Sequence, residues 1–277
     1  MSARAFATNV TIILGVMAIG ALLESIVPMF AAARAGDRRR RANLALTALS
    51  FGANWALASI AAVAALALRP AGLMAWLGVP LWAQIAAGII VLDFSAGYLS
   101  HRALHMLPAM WRFHQIHHSD EFVDVTTTYR THPVETVWRF LFAIVPVWLL
   151  GIPAQAVVIQ RLLQTTNGVL EHANVRLWPS VDRALSSFWV TPNVHKIHHS
   201  RELSETNSNY GNVLCLYDRL LGTFTPAERA ASVVYGLDGT ELARGGSFSG
   251  LLSMPFARRP GSPVTASAVR MPAAGLD

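Results

Sequence analysis

The chain has 277 residues, of which 53% are hydrophobic and 14% charged, and its mean hydropathy is +0.40. Because a soluble domain carries about 25% charged residues, this composition excludes an ordinary soluble domain and is typical of a membrane protein. The net charge of +6 comes almost wholly from arginine, since Lys196 is the only lysine. No basic stripe with interleaved aromatic residues is present, which argues against a nucleic-acid partner.

Three long apolar runs fill most of residues 1–100 and precede the first histidine: Val10 to Ala33, Leu44 to Leu68 and Leu73 to Leu99. Each exceeds the roughly 20 residues that span a bilayer, so we expect three transmembrane helices. Arg38 to Arg41 follow the first run and predict a short basic loop that stays in the cytoplasm. The first run is therefore interpreted as an anchor, and the third is expected to end at the cytoplasmic surface.

Residues 134–170 are apolar again and are interrupted by Gly151 and Pro153. Each half is short for a full span, so we expect a helical hairpin that either dips into the membrane or crosses it. From residue 257 to residue 277, Arg, Pro, Ser, Gly and Ala dominate without an apolar period, which predicts a disordered tail. The one cysteine, Cys215, excludes an internal disulfide and a cysteine-built zinc site.

Eight of the ten histidines fall into three tight clusters: His101-x3-His105, His114-x2-His117-His118 and His195-x2-His198-His199. On a helix, residues three or four apart share a face, so each cluster is expected to grip a metal. Eight imidazoles exceed the needs of one tetrahedral ion, whereas two octahedral ions share them with positions left for oxygen or water. The spacing predicts a dinuclear centre within residues 101–256.

Two rival metal chemistries lack their required residues. A zinc protease helix needs glutamate directly after its first histidine, but Arg102 follows His101 and Lys196 follows His195. Carboxylate di-iron bundles use Glu-x-x-His, and no histidine here has a glutamate three residues before it. A histidine-rich site remains, and imidazole suits Fe, Cu, Zn and Ni alike.

The order of several short strings resembles the fatty acid hydroxylase superfamily, most closely its sterol desaturase branch. The resemblance covers about Asp93 to Phe224 and rests on these strings: DFSAGYLSHRALH from Asp93, WRFHQIHHS from Trp111, HPVE from His132, EHAN from Glu171, TPNVHKIHHS from Thr191 and NYGNVLCLYDRLLGT from Asn209. Members of that superfamily are integral membrane di-iron oxygenases that hydroxylate or desaturate lipid C–H bonds with O2. The resemblance, and not the composition, implies two iron ions, with zinc an alternative in purified protein, and O2 as co-substrate.

Carried over to this sequence, the family pattern implies nine metal ligands: His101, His105, His114, His117, His118, His172, His195, His198 and His199. His132 stands before a proline and either binds metal or hydrogen-bonds a ligand. Asp93 is expected to bond a ligand histidine or to contact Arg102, and Glu24 to join helices. Four more polar residues are expected to order ligands or cap helices, none of them as a catalytic residue: Asn207, Asn209, Tyr210 and Asp218.

The sequence thus predicts an all-α integral membrane bundle, multi-pass, with a histidine-rich di-metal domain on the cytoplasmic face. The expected activity is hydroxylation or desaturation of a sterol-like, hopanoid or fatty acyl lipid. Because the chain has no dinucleotide-binding glycine motif and no ferredoxin-like cysteine set, we expect an external electron donor of cytochrome or ferredoxin type with its reductase. The alternative is a membrane protein that binds zinc structurally or hydrolyses a lipid with the same histidines.

We expect Arg38 to Arg41, the histidine clusters and the C-terminus to lie on the cytoplasmic side, because short basic segments are retained there. Reporter fusions at the C-terminus and labelling of a cysteine introduced at Arg39 measure this directly. A label that places His195 and Arg39 on opposite sides would contradict the prediction.

Overall fold

The computed structural model describes residues 3–31, 36–68, 72–237 and 246–257. Within these ranges the chain is helical and forms no strand, with isolated β-bridges only at Pro28–Val175 and Trp189–Leu214. The all-α prediction is confirmed. The tail predicted at 257–277 lies outside the described residues beyond Ala257.

The helices follow one another with short connections. The first half contains α1 (Ala3–Ile26), α2 (Asp37–Leu68), α3 (Leu73–Trp76), α4 (Leu81–Leu92), a π-helical segment (Asp93–Leu99), α5 (Ser100–Met106) and α6 (Pro108–His118). The second half contains α7 (Pro133–Leu150), α8 (Ala154–His172), α9 (Pro179–Leu185), α10 (Pro192–His198), α11 (Leu203–Thr206), α12 (Leu216–Leu220) and α13 (Phe248–Ser253). Short 3-10 turns lie at Val125–Thr127, Ala230–Ser232 and Met254–Phe256.

Four helical segments are long and apolar enough to cross a membrane: Phe6–Ile26, Asp37–Ala61, Leu81–Met106 and Pro133–Leu150. In three of them few side chains are buried inside the protein, as expected where lipid and not protein covers the apolar surface, whereas more than a third of Leu81–Met106 is buried. The hairpin predicted at 134–170 is present as α7 and α8, which turn at Gly151. The chain is therefore a helical membrane protein.

Two predicted boundaries are wrong. The arginines at 38–41 do not form a loop but lie in the first turns of α2, where Asp37 opens the helix and arginine is a good helix former. The third apolar run is not one helix from Leu73 to Leu99, because Gly78 adopts a positive φ of 67° and Pro80 caps the start of α4. The membrane-length segment instead begins at Leu81 and continues through the π-helical segment to Met106.

A buried polar network fixes the end of α6 against α2. Arg130 is almost fully buried and donates to the carbonyl oxygen of Ile116, to Ser119 Oγ and to Asn43 Oδ1 at 2.7–2.8 Å. Arg39 donates to Asp120 at 2.9 Å and also pairs with Asp124. Since Asp120 follows the histidines of α6 by two residues, the arginines of α2 and the histidines lie at the same end of the bundle.

At the opposite end, the backbones of Gly72 and Gly151 are in direct contact. A Cβ atom on Gly72 would lie 2.1 Å from the Cα of Gly151, and Gly151 itself ends α7 with a φ of 68°. No flexible side chain is there to move aside, so the contact requires glycine at both positions.

We expect Gly72→Ala to destabilise the protein by about 1–3 kcal/mol, the usual cost of forcing extra atoms into a packed contact. Gly52→Ala is the control, because that glycine lies in α2 with nothing within 4 Å of its Cβ position. Thermal unfolding in detergent should show a lower midpoint for Gly72→Ala alone. Equal midpoints for the two variants would show that the glycine contact does not constrain the bundle.

Candidate metal centre

Nine of the ten histidines meet at one end of the bundle in two adjacent groups. The five-histidine group contains His101, His105, His114, His118 and His198, and the four-histidine group contains His117, His172, His195 and His199. In each group the candidate ligand nitrogens lie within 4.8 Å of one another. These nine residues are the same nine that the sequence predicts as ligands.

Helix periodicity divides the clusters between the groups. On α6, His114 and His118 are four residues apart and share a face, whereas His117 points toward the other group. At the end of α10, His195 and His199 share a face, and His198 joins the five-histidine group. Each His-x2-His-His cluster therefore contributes to both groups. The stacked rings of His118 and His199, 4.6 Å apart, link the two groups.

The Nε2 atoms of the five-histidine group face one another without protons between them. His101 Nδ1 lies 2.9 Å from the carbonyl oxygen of Tyr210, and His198 Nδ1 lies 2.7 Å from that of Ser208. A carbonyl only accepts, so both Nδ1 atoms carry the hydrogen and both Nε2 atoms present lone pairs. These two Nε2 atoms are nevertheless 3.1 Å apart. Two lone pairs at that distance repel unless a cation lies between them.

The four-histidine group has the same arrangement around His172. Its Nδ1 lies 2.6 Å from the carbonyl oxygen of Gly168, so its Nε2 is a lone-pair acceptor. Three other Nε2 atoms approach this nitrogen at 3.0–3.2 Å, those of His117, His195 and His199. One lone pair cannot accept from three donors. The donor set again fits a cation.

Spacing and protonation also fit a metal. Imidazole nitrogens about 2.1 Å from an ion and at right angles to each other are about 3.0 Å apart, close to the observed separations. Burial, reinforced by neighbouring imidazoles, holds the pKa of four histidines well below the usual value: His117, His118, His195 and His199. Burial also lowers the pKa of His172 and of His198 to about 3. These histidines are neutral at pH 7, the form that binds metal.

Residues outside the two groups orient the five-histidine ligands. Glu135 accepts from His114 Nδ1 at 3.0 Å and from Arg139 at 2.9 Å, a carboxylate–histidine pair typical of metal sites. Asn207 Oδ1 lies 3.3 Å from His105 Nδ1, and Thr206 Oγ1 lies 3.3 Å from His118 Nδ1. With these outer nitrogens engaged, the Nε2 atoms of His105 and His118 have no partner among the described residues. They are the nitrogens left free to bind an ion.

Asp218 shapes the loop that presents the Tyr210 carbonyl. Its carboxylate accepts from the backbone N–H groups of Tyr210 and Gly211 at 2.8 Å and from Thr223 Oγ1 at 2.7 Å. Asn209, next in the loop, has a φ of 53° and donates to the carbonyls of Val194 and Thr225. The expectation that Asn207, Asn209, Tyr210 and Asp218 order the site is met through these contacts.

The end of α8, which carries His172, is held by a buried lysine. Lys196 is fully buried and donates to the carbonyl oxygens of Ala173 at 2.6 Å, His172 at 3.3 Å and Glu171 at 3.4 Å. Burial lowers its pKa to about 7. An ammonium group at three terminal carbonyls neutralises the negative end of the helix. Lys196 therefore fixes the backbone from which His172 projects.

Two carboxylates stand near the four-histidine group. Glu24 of α1 accepts from the N–H groups of Val125 and Asn174 at 2.8 Å, which agrees with the helix-joining role expected for it. Glu171 Oε1 accepts from Asn212 at 2.8 Å and lies 3.9 Å from His195 Nε2. Burial raises the pKa of Glu171 well above the usual value.

His132 and Asp93 lie outside the groups. His132 caps α7, where its Nδ1 accepts from the N–H of Val134 at 3.1 Å, so it does not join either group. Asp93 accepts from the N–H of Leu214 at 3.2 Å, and the expected bond to a ligand histidine is not formed. Through this bond Asp93, which lies eight residues before His101, holds the loop at Leu214.

Sequence reasoning did not assign roles to Glu135, Arg139, Lys196 and Glu171. Glu135 and Glu171 belong to the strings HPVE and EHAN, so their place beside histidines was the available signal. Lys196 was the only lysine in the chain and lies inside a histidine cluster. The one signal that Arg139 would pair with Glu135 was their four-residue separation on a helix.

Comparison with known proteins places these residues in one family. A family model described as fatty acid hydroxylase matches residues 85–223. The chain is 34% identical over 180 residues to an ornithine lipid hydroxylase of Rhizobium tropici, covering 65% of this chain and 52% of that protein. It is 31% identical over 140 residues to an alkylglycerol monooxygenase of Danio rerio and over 144 residues to that of Homo sapiens, covering 50% of this chain and 30% of each. No solved structure matches the chain.

We expect purified protein to carry about two transition-metal ions per chain, one for each group of histidines. His198→Ala removes a ligand of the five-histidine group and His117→Ala a ligand of the four-histidine group, so each should lower the content to about one. Mass spectrometry of the metals in detergent-purified protein measures this.

His132→Ala is the matched control, because it removes a buried histidine near the centre that belongs to neither group. It should weaken the cap of α7 and leave the metal content at about two. One ion or none in well-folded unmodified protein contradicts the dinuclear prediction, and loss of an ion from His132→Ala contradicts the assignment of ligands.

Proposed function

Because the chain belongs to the fatty acid hydroxylase family, we propose that it is a membrane oxygenase that hydroxylates a lipid C–H bond with O2 at two iron ions. The observation that carries the proposal is the convergence of nine histidines, eight of them buried, whose lone pairs face one another in two groups. The chain spans about half the length of the ornithine lipid hydroxylase it matches and less of the alkylglycerol monooxygenases. The activity is therefore inferred from the site together with the family.

The two groups supply unequal numbers of nitrogens. Five histidines leave about one position of a six-coordinate ion open, and four leave about two. Bound iron supplies the redox chemistry that activates O2 and oxidises carbon. The protein holds the ligands neutral, fixes their outer nitrogens through Glu135 and the Tyr210 and Ser208 carbonyls, and keeps bulk water away by burial.

The substrate is proposed to be the acyl or alkyl chain of a polar membrane lipid. His105 is the ligand candidate that is only half-buried, and the two residues after it, Met106 and Leu107, are exposed by 57% and 44%. An apolar opening beside the site at the end of a membrane-length helix suits a substrate that arrives from the bilayer. The relatives are named for hydroxylation and monooxygenation, which favours hydroxylation over desaturation.

The electrons are proposed to come from another protein. Histidine is the metal-binding residue throughout, and the sequence contains no dinucleotide-binding glycine motif and no cysteine set for an iron–sulfur cluster. A cytochrome or ferredoxin with its reductase is the class of donor that fits a one-electron supply to a metal centre.

Under isotopically labelled O2, we expect the hydroxylated lipid to carry the label, because the new oxygen derives from O2 and not from water. The assay uses iron-loaded protein in vesicles of bacterial polar lipid with a ferredoxin and its reductase, read by mass spectrometry. Reduced nicotinamide without these carriers should give no product.

The same preparation distinguishes the hydrolase alternative. Zinc-loaded protein should form no oxidised lipid and should not cleave ester lipids. Release of fatty acid by the zinc form, together with unlabelled and unchanged lipid in the iron form, would overturn the proposal in favour of hydrolysis.

A further inference from the structure

Two short helices that follow the α7–α8 hairpin, α9 and α12, each bury a carboxylate and expose apolar side chains. In α9, Asp182 points inward, buried, and accepts from Thr191 Oγ1 at 2.5 Å. All the other residues of α9 are exposed, among them Val181, Leu185 and Arg183, and so is the N-cap residue Trp178. A helix in water shows the reverse pattern, with apolar residues inside and carboxylates outside.

The same inversion occurs in α12. Asp218 is fully buried and accepts three hydrogen bonds, whereas Leu216 and Leu220, one turn apart, are exposed by 44% and 72%. The buried residues of the helix are Tyr217 and Asp218. The exposed leucines are therefore not explained by the packing of the chain on itself.

The two helices form one surface. The carbonyl oxygen of Ser186, at the end of α9, accepts from Cys215 Sγ at 2.9 Å and from Arg219 at 2.6 Å. The backbone of Phe188 accepts from Cys215 N at 3.1 Å. We call the joined surface the apolar ledge, after its exposed large apolar side chains; exposed polar residues, among them Arg183 and Arg219, lie between them. The apolar side chains are Trp178, Val181, Leu185, Phe188, Leu216 and Leu220.

The ledge is attached to the side of a membrane-length helix. Tyr217 donates its hydroxyl to the carbonyl oxygen of Ile90 at 3.1 Å, and its ring lies 5.1 Å from that of Phe94. Ile90 precedes His101 by 11 residues, a distance of about 16 Å along a helix. The ledge therefore contacts the apolar segment Leu81–Met106 at a level that precedes His101, where Ile90 is exposed by 54%.

A second attachment fixes the other end of the ledge. Arg176 donates its backbone N–H to the carbonyl oxygen of Val27 at 3.1 Å, directly after the apolar segment Phe6–Ile26 ends. Trp178 follows two residues later and is exposed by 73%. Tryptophan next to arginine at the end of a span is typical of the membrane–water interface.

We propose that the apolar ledge is immersed in the lipid leaflet on the histidine side of the membrane, although neither α9 nor α12 is long enough to span it. The occupant of this surface is the acyl region of the bilayer. Inverted polarity, continuity with Leu81–Met106 and the interfacial tryptophan all point to lipid, since a protein partner would require none of the three.

The experiment compares two leucines of equal exposure. Leu220 on the ledge and Leu203 on α11 are both exposed by 72%, but Leu203 stands between charged residues near the Glu205–Arg229 ion pair. A fluorophore is attached to Leu220→Cys or Leu203→Cys in the full chain reconstituted in phosphatidylcholine vesicles. Unmodified protein measures any labelling of buried Cys215.

A nitroxide on the lipid acyl chain should quench the Leu220→Cys label severalfold more than the Leu203→Cys label, and aqueous iodide should do the reverse. Phe188→Cys repeats the measurement at a second ledge position if Leu220→Cys does not fold. Iodide quenching of the ledge labels equal to that of Leu203→Cys overturns the proposal and leaves the ledge as a site for a protein. Neither outcome depends on metal or turnover, so the result is independent of the proposed function.

Discussion

The structure depends on one electrostatic constraint, the gathering of nine imidazoles in a dry interior. Burial lowers the pKa of six of them, because it disfavours the charged form, and Nε2 atoms in both groups approach within 3.0–3.2 Å. Without a cation this arrangement is repulsive; with one it becomes the main cross-link between helices that are far apart in sequence. His101 comes from the end of a membrane-length helix, His172 from the end of the hairpin, and His198 from α10. The two histidine groups therefore join the helices that form this end of the bundle.

The buried charges around the centre follow from that constraint. Three ligand-bearing helices end in the interior, and each end leaves carbonyl oxygens that water cannot reach. Arg130 donates to the carbonyl at the end of α6, and Lys196 donates to those at the end of α8. Glu135 in turn accepts from His114 and Arg139. A polar network of this kind stabilises only if its members are satisfied together, so its residues fix the geometry of the ligands as a unit.

Much of the site could be predicted from the sequence, because histidine spacing reports directly on helix faces. The spacing predicted eight of the nine candidate ligands, and the family resemblance implied the ninth, His172. Neither predicted their division, since whether His117 and His118 meet the same partners depends on how α6 packs on α8 and α10. The apolar runs predicted the membrane-length helices, yet hydrophobicity is blind to a break made by Gly78 and Pro80 within an apolar stretch. Asp93 was expected to bond a ligand histidine or to contact Arg102, because an unpaired carboxylate near the end of a span is costly. It reaches Leu214 instead, 121 residues away, a contact that only the tertiary fold creates.

The same limit explains why hydropathy does not mark the apolar side chains of α9 and α12. Hydropathy averages over the length of a span, and helices of five and seven residues never dominate such an average. In water the average would be a fair guide, because carboxylates point outward. Next to lipid, the carboxylates of Asp182 and Asp218 can lie inside only because Thr191, Thr223 and backbone N–H groups satisfy them. The direction of each side chain, and not the composition of the segment, decides which solvent it meets.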